Sequence, residues 1–282
     1  MGNRVLISVD CLCDLPGKMW DELDIRIMYF YVRTEEGRFQ DIREINAENI
    51  VEYLARGKKV QSGCATMEEY KAHFEKIRKE HKGPIVHICV GKHVSESYNI
   101  ASKAAENMKD VYIVDSHQLS SGMSLMVLVA SEMAKAGADY ELILKELELI
   151  SEKVCTSFIV NSTEHLYING QISKAVASLC EFFSLHPILQ MKDGRLVPAG
   201  ICVGNERRYA RAYIRKMLRK PETIDTNVVF IVNAGCSYEF VNFLKEEVQK
   251  KGHWKKIIIN SASATISCNC GPGAFGVLFA RK

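Results

Sequence analysis

Short apolar runs alternate with helical patterns through the first half of the chain. Residues 5–9 (Val-Leu-Ile-Ser-Val) read as a buried strand, followed by the turn Asp10-Cys-Leu-Cys-Asp-Leu-Pro16 and a helix starting near Pro16. Residues 24–33 form a long β-branched and aromatic run, and the polar turn Glu35-Glu-Gly37 leads into 39–42, a hairpin signal. Helices are predicted over 47–56 and 67–81, the second with Met67, Tyr70, Phe74 and Ile77 on one face. A strand at 85–90, a helix at 95–108 and a strand at 111–114 follow, then helices over 120–135 and 140–153. Alternation of this kind predicts a parallel sheet covered on both faces.

The second half carries hairpins as well as crossovers. A strand is predicted at 156–160, short helices at 163–168 and 173–181, and strands at 187–191 and 195–203 joined by the Lys192-Asp-Gly194 turn. A helix at 205–218, a strand at 228–232, a helix at 238–250 and strands at 256–260 and 276–280 complete the chain. The fold class expected is α/β with two domains: a Rossmann-like parallel-sheet domain over 1–155 and a mixed-sheet α/β domain over 156–282. No internal repeat or low-complexity segment appears.

Composition changes this picture little. At 282 residues, 47% hydrophobic and 25% charged, the chain is long enough for two cores without metal or disulfide staples. A net charge of +3 does not call for nucleic acid. No run approaches the roughly 20 apolar residues of a membrane span, and residues 5–9 are too short for a signal peptide, so the protein is expected to be cytoplasmic and not an integral membrane protein. Most of the ten cysteines lie in apolar runs and read as small hydrophobes. The pairs Cys11/Cys13 and Cys268/Cys270 have spacing too tight for an ordinary zinc site, although the two pairs together could supply four thiolates. No metal is expected.

Three loops could carry chemistry. Val60-Gln-Ser-Gly-Cys-Ala65 precedes a helix, Val90-Gly-Lys-His-Val-Ser-Glu-Ser-Tyr98 contains a candidate helix cap at Ser95, and Asn269-Cys-Gly-Pro-Gly-Ala-Phe-Gly276 precedes the last strand. Hydroxyls at a helix start, and the backbone N–H groups of a Gly-Pro-Gly loop, suit a carboxylate or phosphate. Asp10, 91–97 and Asp115-Ser116 all fall at carboxyl ends of expected parallel strands, where open α/β sheets bind ligands, although Asp and Ser there also serve as ordinary caps. Arg207, Arg211, Arg215 and Arg219 recur every four residues, with Arg208, Lys216 and Lys220 beside them. That stripe is either a solvated face or a dock for an acidic or phosphate-bearing partner, with Arg207, Arg208 and Arg211 as the docking residues.

The order of these pieces resembles the DegV family of bacterial fatty-acid-binding proteins. Val9-Asp-Cys-Leu-Cys-Asp-Leu-Pro16 is similar to the family's Thr-Asp-Ser-x-x-Asp-Leu-Pro opening, Ser62 to the Ser of Thr-Ser-Gln-Pro, and Ser95-Glu-Ser-Tyr98 to Ser-Gly-Thr-Tyr. Val114-Asp-Ser116 matches Val-Asp-Ser, Asn169-Gly-Gln-Ile-Ser173 resembles Gly-Gly-Arg-Ile-Ser, and His186-Pro-Ile-Leu189 stands where the family has Lys-Pro-Ile-Leu. Asn269-Cys-Gly-Pro-Gly-Ala274 resembles His-x-Gly-Pro-Gly-Ala. The resemblance implies a long-chain fatty acid or similar lipid in an apolar tunnel, held by Gln61, Ser62, Ser95, Glu96, Ser97, Gln171, Asn269, Gly271 and Gly273. It also implies presentation of that acid to a separate fatty acid kinase, with no catalytic residue and no cofactor of the protein's own. Gln61, Glu96, Gln171 and Asn269 depart from the family's Thr, Gly, Arg and His, which leaves the expected head-group site less cationic. A divergent member binding a less anionic ligand, a regulatory module, and a serine acyl hydrolase using Ser95 with His93 are the alternatives. The hydrolase lacks a Gly-x-Ser-x-Gly elbow, and neither a Walker loop nor a Rossmann glycine fingerprint is present.

Overall fold

The computed structural model describes residues 4–164, 167 and 173–282. Four parallel strands form the first sheet: β1 (Leu6–Asp10), β2 (Arg26–Met28), β6 (Ile85–Cys89) and β7 (Val111–Asp115), in the order β2-β1-β6-β7. All five residues of β1 and of β6 are buried, as central strands of a sheet covered on both faces must be. Helices α1 (Gly17–Glu22), α3 (Met67–Glu80), α4 (Ser97–Ala105), α5 (Ser121–Lys135) and α6 (Tyr140–Lys153) belong to this half. Thr66 and Glu69 close a capping box on α3, so that helix begins where a Ser/Thr-x-x-Glu pattern says it should.

The run over 24–33, expected as one strand, is two. Its first part is β2, alongside β1. Its second part, β3 (Tyr31–Thr34), turns away to join β4 (Gly37–Gln40) and β5 (Gln61–Gly63) in a separate antiparallel sheet of order β4-β3-β5. The break falls at Phe30, whose N–H donates to Cys11 Sγ at 3.2 Å and whose carbonyl accepts from Asp41 N–H at 2.9 Å. Those bonds replace the ladder pairing lost at the turn. The hairpin with 37–40 is present, and α2 (Ala47–Ala55) follows it.

The mixed sheet has seven strands. β10 (Leu185–Lys192) and β11 (Arg195–Val203) form the expected Asp-Gly hairpin at one edge. β9 (Ser157–Ile159), β14 (Phe275–Arg281), β12 (Ile224–Asn233) and β13 (Lys256–Ser261) continue it, with β8 (Val154–Cys155) paired to β14. Helices α7 (Lys174–Phe182), α8 (Glu206–Met217), α9 (Tyr238–Gln249) and α10 (Ala264–Cys270) complete the chain. Helix α10 and strand β5 have no counterpart in the pattern read from the sequence. The helix predicted over 163–168 falls largely on residues outside those described, as does Gln171.

Helix α5 joins the two halves. It packs on β1 from one side and on β12 and β14 from the other. A single apolar core accordingly runs from Ile7 and Val9 through Met123, Met126 and Val127 to Phe230, Val232 and Leu278. The first turn of α5 is built of small residues. Ser121 Oγ donates to Asp14 O at 3.1 Å, and Ser124 Oγ bonds Cys13 O. At Gly122 the contact is tighter still, because a Cβ there would overlap Thr156 Oγ1.

Candidate functional site: a hydroxyl-rimmed apolar cavity

A cavity of about 270 Å³ interrupts the central core, near the lower end of the range for small-molecule sites. It opens at the carboxyl ends of β1 and β6, where Leu12, Val90, Val94 and Leu119 line it, and it is walled opposite by Phe158, Val232, Phe275 and Leu278. Its polar lining is neutral: Ser62, Ser95, Ser120, Thr156, Ser157, Asn233, Thr265 and Asn269, with the Cys64 thiol. Among the described residues no lysine, arginine, histidine or carboxylate lines it.

Three sequence-predicted residues meet there. Ser62 comes from β5, Ser95 from the loop after β6 and Asn269 from α10. Asn269 Nδ2 donates to Ser62 Oγ at 2.9 Å and to Thr265 O at 2.8 Å. Ser95 Oγ accepts from the Ser97 N–H at 3.2 Å. Both serine oxygens therefore already accept a bond, which leaves each hydroxyl proton free to donate into the cavity. Donors set in this way suit the oxygens of a carboxylate or a similar acceptor group.

Buried carboxylates fix two of the three elements, the loop after β6 and α10, while β5 is held by its pairing with β3. Asp10, at the end of β1, accepts from Tyr70 OH at 2.6 Å and from the Val90 N–H at 3.0 Å, which sets the loop that carries Ser95. Asp41 Oδ1 and Oδ2 accept from the Ala264 and Thr265 N–H groups, both at 2.8 Å. Asp14 Oδ1 accepts from the Ser263 N–H at 2.8 Å and its Oδ2 from Ser120 Oγ at 2.5 Å. The first N–H groups of α10 have no partners inside the helix, and these two carboxylates supply them. Burial pushes the Asp41 carboxyl upward and raises Asp14 to about 7, each opposed by the hydrogen bonds it accepts. Asp115 accepts from the Lys92 and His117 N–H groups, so it too shapes the loop rather than facing the cavity.

Other predicted residues are placed differently. Gln61 is exposed and off the cavity wall, because in β5 the side chains alternate and Ser62 takes the inward position. Glu96 is exposed, accepts from Asn99 Nδ2 at 3.1 Å and does not line the cavity. Ser97 is fully buried beneath the loop, its hydroxyl without a partner and off the cavity wall. Gly271 and Gly273 do not offer free N–H groups: Gly271 N donates to Ser267 O at 3.0 Å and Gly273 N to Ala234 O at 2.8 Å. Both have positive φ (77° and 78°), so glycine serves the turn between α10 and β14 there.

Arg207, Arg208 and Arg211 are exposed on α8, away from this cavity, and with Ile201 and Val203 they line a separate surface groove. Arg211 pairs with Glu247 at 3.4 Å, and the Arg207 and Arg211 guanidinium groups lie 5.3 and 5.0 Å from the Phe243 ring centre. The four cysteines at 11, 13, 268 and 270 are buried and do not converge on a common point. One group within metal-ligand reach does occur among the described residues, Asp10, His87 and Cys89. Its carboxylate is already engaged by Tyr70 and Val90, while His87 is held through Ser8 to His73 by bonds of 2.9 and 2.8 Å. No histidine is bonded to Ser95 among the described residues, so the base a serine hydrolase needs is not assembled.

A family model described as "Uncharacterised protein, DegV family" matches residues 4–282. The chain belongs to the DegV family. It is similar to a Thermotoga maritima protein named "Fatty acid-binding protein", with 26% identity over 284 residues covering 97% of this chain and 96% of that one. A DegV family protein from Thermus thermophilus, whose structure is described by its fatty acid binding, superposes with a TM-score of 0.89 at 26% identity over 99% and 100% of the two chains. A DegV family protein from Eubacterium eligens, loaded with heptadecanoic acid, shares the fold at a TM-score of 0.82 and 17% identity over 99% and 100% of the chains. Among the described residues of this DegV chain, no helix is long and apolar enough to cross a membrane.

Sequence reasoning missed Cys64, Ser120, Thr156 and Thr265 as cavity residues. For Thr265 a signal existed: Ser263 before Ala-Thr-Ile-Ser is a helix cap, and its Oγ accepts from the Ile266 N–H. Two β-branched residues and two cysteines in a seven-residue segment obscured it, being poor helix formers.

Proposed function

We propose that this protein is a cytoplasmic carrier that binds a long-chain fatty acid or closely related lipid, with the acyl chain in the central cavity and the carboxylate at Ser62, Ser95 and Asn269. The observation that carries the reading is the pairing of an apolar cavity with two serine hydroxyls free to donate, in a fold whose relatives are named for fatty acid binding. Burying a hydrocarbon chain is worth about 0.8 kcal/mol per methylene, so the tail supplies the affinity and the hydroxyls the orientation. Native mass spectrometry of the gently purified protein tests it. An acyl mass that copurifies, and is lost in a Ser62→Ala/Ser95→Ala double variant, supports the proposal; a wild-type protein that binds no fatty acid even when one is added sinks it.

The family resemblance extends this role to presenting the bound acid to a separate fatty acid kinase, with Arg207, Arg208 and Arg211 docking the partner. Formation of an acyl phosphate adds negative charge at the head group, and no cationic side chain lines the cavity among the described residues to stabilise it. The protein is therefore a carrier that binds its ligand but supports acyl phosphorylation weakly. Robust acyl-phosphate formation on reconstitution with a fatty acid kinase would overturn that part.

A further inference from the structure

Among the described residues, strand β11 is an edge of the mixed sheet and pairs only with β10. On the β9 side of β10, Pro187 O accepts from the Val160 N–H at 3.3 Å, so Pro187 and the residue opposite it, Ile201, do not bond each other. Ile201 and its alternate neighbour Val203 therefore turn their N–H and C=O groups outward, away from β10. Edges of this kind are ordinarily guarded. Here the guards lie in the first half of the strand, where Pro198 and a register shift interrupt the ladder and Lys216 Nζ takes up Ala199 O at 2.6 Å. Residues 201–203 carry no proline and no register shift.

The same edge forms one wall of the surface groove whose other wall is α8. Ile201, Cys202 and Val203 all line it, although successive side chains of a strand point to opposite faces, so the groove follows the edge itself. Cys202 packs in one cluster with Tyr209 and Tyr213 of α8, while Ile201 and Val203 stand exposed on the opposite face. On the α8 side Arg207, Arg208 and Arg215 are exposed and have no acidic partner among the described residues. Glu206 is the one acid lining the groove, and Arg211 is paired with Glu247.

Outward backbone groups need backbone partners, which an extended peptide offers and a lipid surface does not. A segment added to β11 sends alternate side chains toward the arginines and toward Ile201 and Val203. We infer that this edge docks an extended segment of a partner protein in which acidic and apolar residues alternate, the acidic ones facing α8. The inference rests on the reading of α8 as a partner-docking face and deepens it by naming the element that docks.

The probe is a fluorescein-labelled hexapeptide alternating glutamate and valine, titrated against the whole chain by fluorescence anisotropy. It should bind, a lysine-valine counterpart should not, and hydrogen exchange at Ile201 and Val203 should slow in the complex. Ile201→Pro removes one outward N–H and no bond to β10, so it should weaken binding at least about tenfold, whereas Ile201→Ala should retain most of it. The triple variant Arg207→Ala/Arg208→Ala/Arg215→Ala should lose a similar factor. Thermal melts check that the variants fold, and a peptide methylated on its backbone nitrogens should fail to bind the unaltered protein. Full binding of the methylated peptide, or by a folded Ile201→Pro, overturns strand addition while loss in the arginine variant still leaves α8 as a docking face. Insensitivity to the arginines as well overturns both. A wild-type protein that ignores the peptide but binds phosphatidylglycerol vesicles through the same arginines assigns the face to lipid and overturns the inference.

Discussion

Asp41 is the test of how the site is held. Its two oxygens accept the Ala264 and Thr265 N–H groups, both at 2.8 Å, from a position with no solvent exposure. Replacing it with asparagine keeps the shape. Oδ1 can still accept one N–H, now as a neutral partner, but Nδ2 faces the other donor to donor. A hydrogen bond to a charged acceptor contributes about 1.5–3 kcal/mol, and a neutral one about 1. One charged bond is lost, the other is weakened, and relief of the buried charge offsets part of the loss. The net cost of Asp41→Asn should be about 2–4 kcal/mol. Urea denaturation at neutral pH, read at unchanged m, measures it. Fatty acid affinity should fall in parallel, because a loosened α10 no longer holds Asn269 against Ser62. A destabilisation below about 0.5 kcal/mol, the range of ordinary surface substitutions, would refute the claim that the two carboxylates hold this helix.

Three further outcomes follow from the same structure. Asp14, whose carboxyl is raised to about 7 by burial, retains its proton in the folded state at pH values where the unfolded chain has lost it. Its contribution to stability is therefore complete below pH 3.8 and lost as pH rises through 7; the stability of wild type minus Asp14→Asn should fall over that window by on the order of 4 kcal/mol, and a difference flat with pH argues against the shift. Gly122→Ala drives a methyl into Thr156 Oγ1 and should lower stability by about 1–3 kcal/mol with weaker ligand binding, by thermal melt and titration; an unaffected variant would mean the seam between α5 and β9 is looser than drawn. Asn269→Asp places an anion beside Ser62 and should weaken fatty acid binding at least about tenfold while sparing a neutral acyl alcohol, by competitive displacement; equal loss for both ligands would place the carboxylate elsewhere.

The departures from the family pattern can now be weighed by position. Glu96 is turned to solvent, which screens its charge, although that charge still helps to push up the Cys64 thiol on the cavity wall. Asn269 acts through Ser62, orienting its hydroxyl rather than supplying charge. Two aspartates of the opening motif have different work. Asp10 shapes the loop that bears Ser95, and Asp14 ties the start of α10 to the start of α5.

Much of the fold was legible from periodicity alone. Strands β1, β6 and β7, the capped helix α3 and the Asp-Gly hairpin of β10 and β11 are each specified by local apolar spacing and turn residues. Ser95 was visible as a polar residue beyond the carboxyl end of a parallel strand, and Ser62 and Asn269 as members of short polar loop motifs before a helix and beside Gly-Pro-Gly. Only the tertiary structure decided the rest. The run at 24–33 divides between two sheets because Cys11 Sγ and Asp41, distant in sequence, take up the backbone groups of Phe30. Helix α10 forms against its weak propensity because Asp14 and Asp41 cap it from the other half of the chain. Gly271 and Gly273 read as an anion cradle, yet their N–H groups are consumed by Ser267 and Ala234. The Thr156 hydroxyl is left without a partner only because folding packs it against Gly122 of α5. Local spacing determines which face of an element is apolar. Which polar group remains unsatisfied is a property of contacts between elements, and no local pattern encodes it.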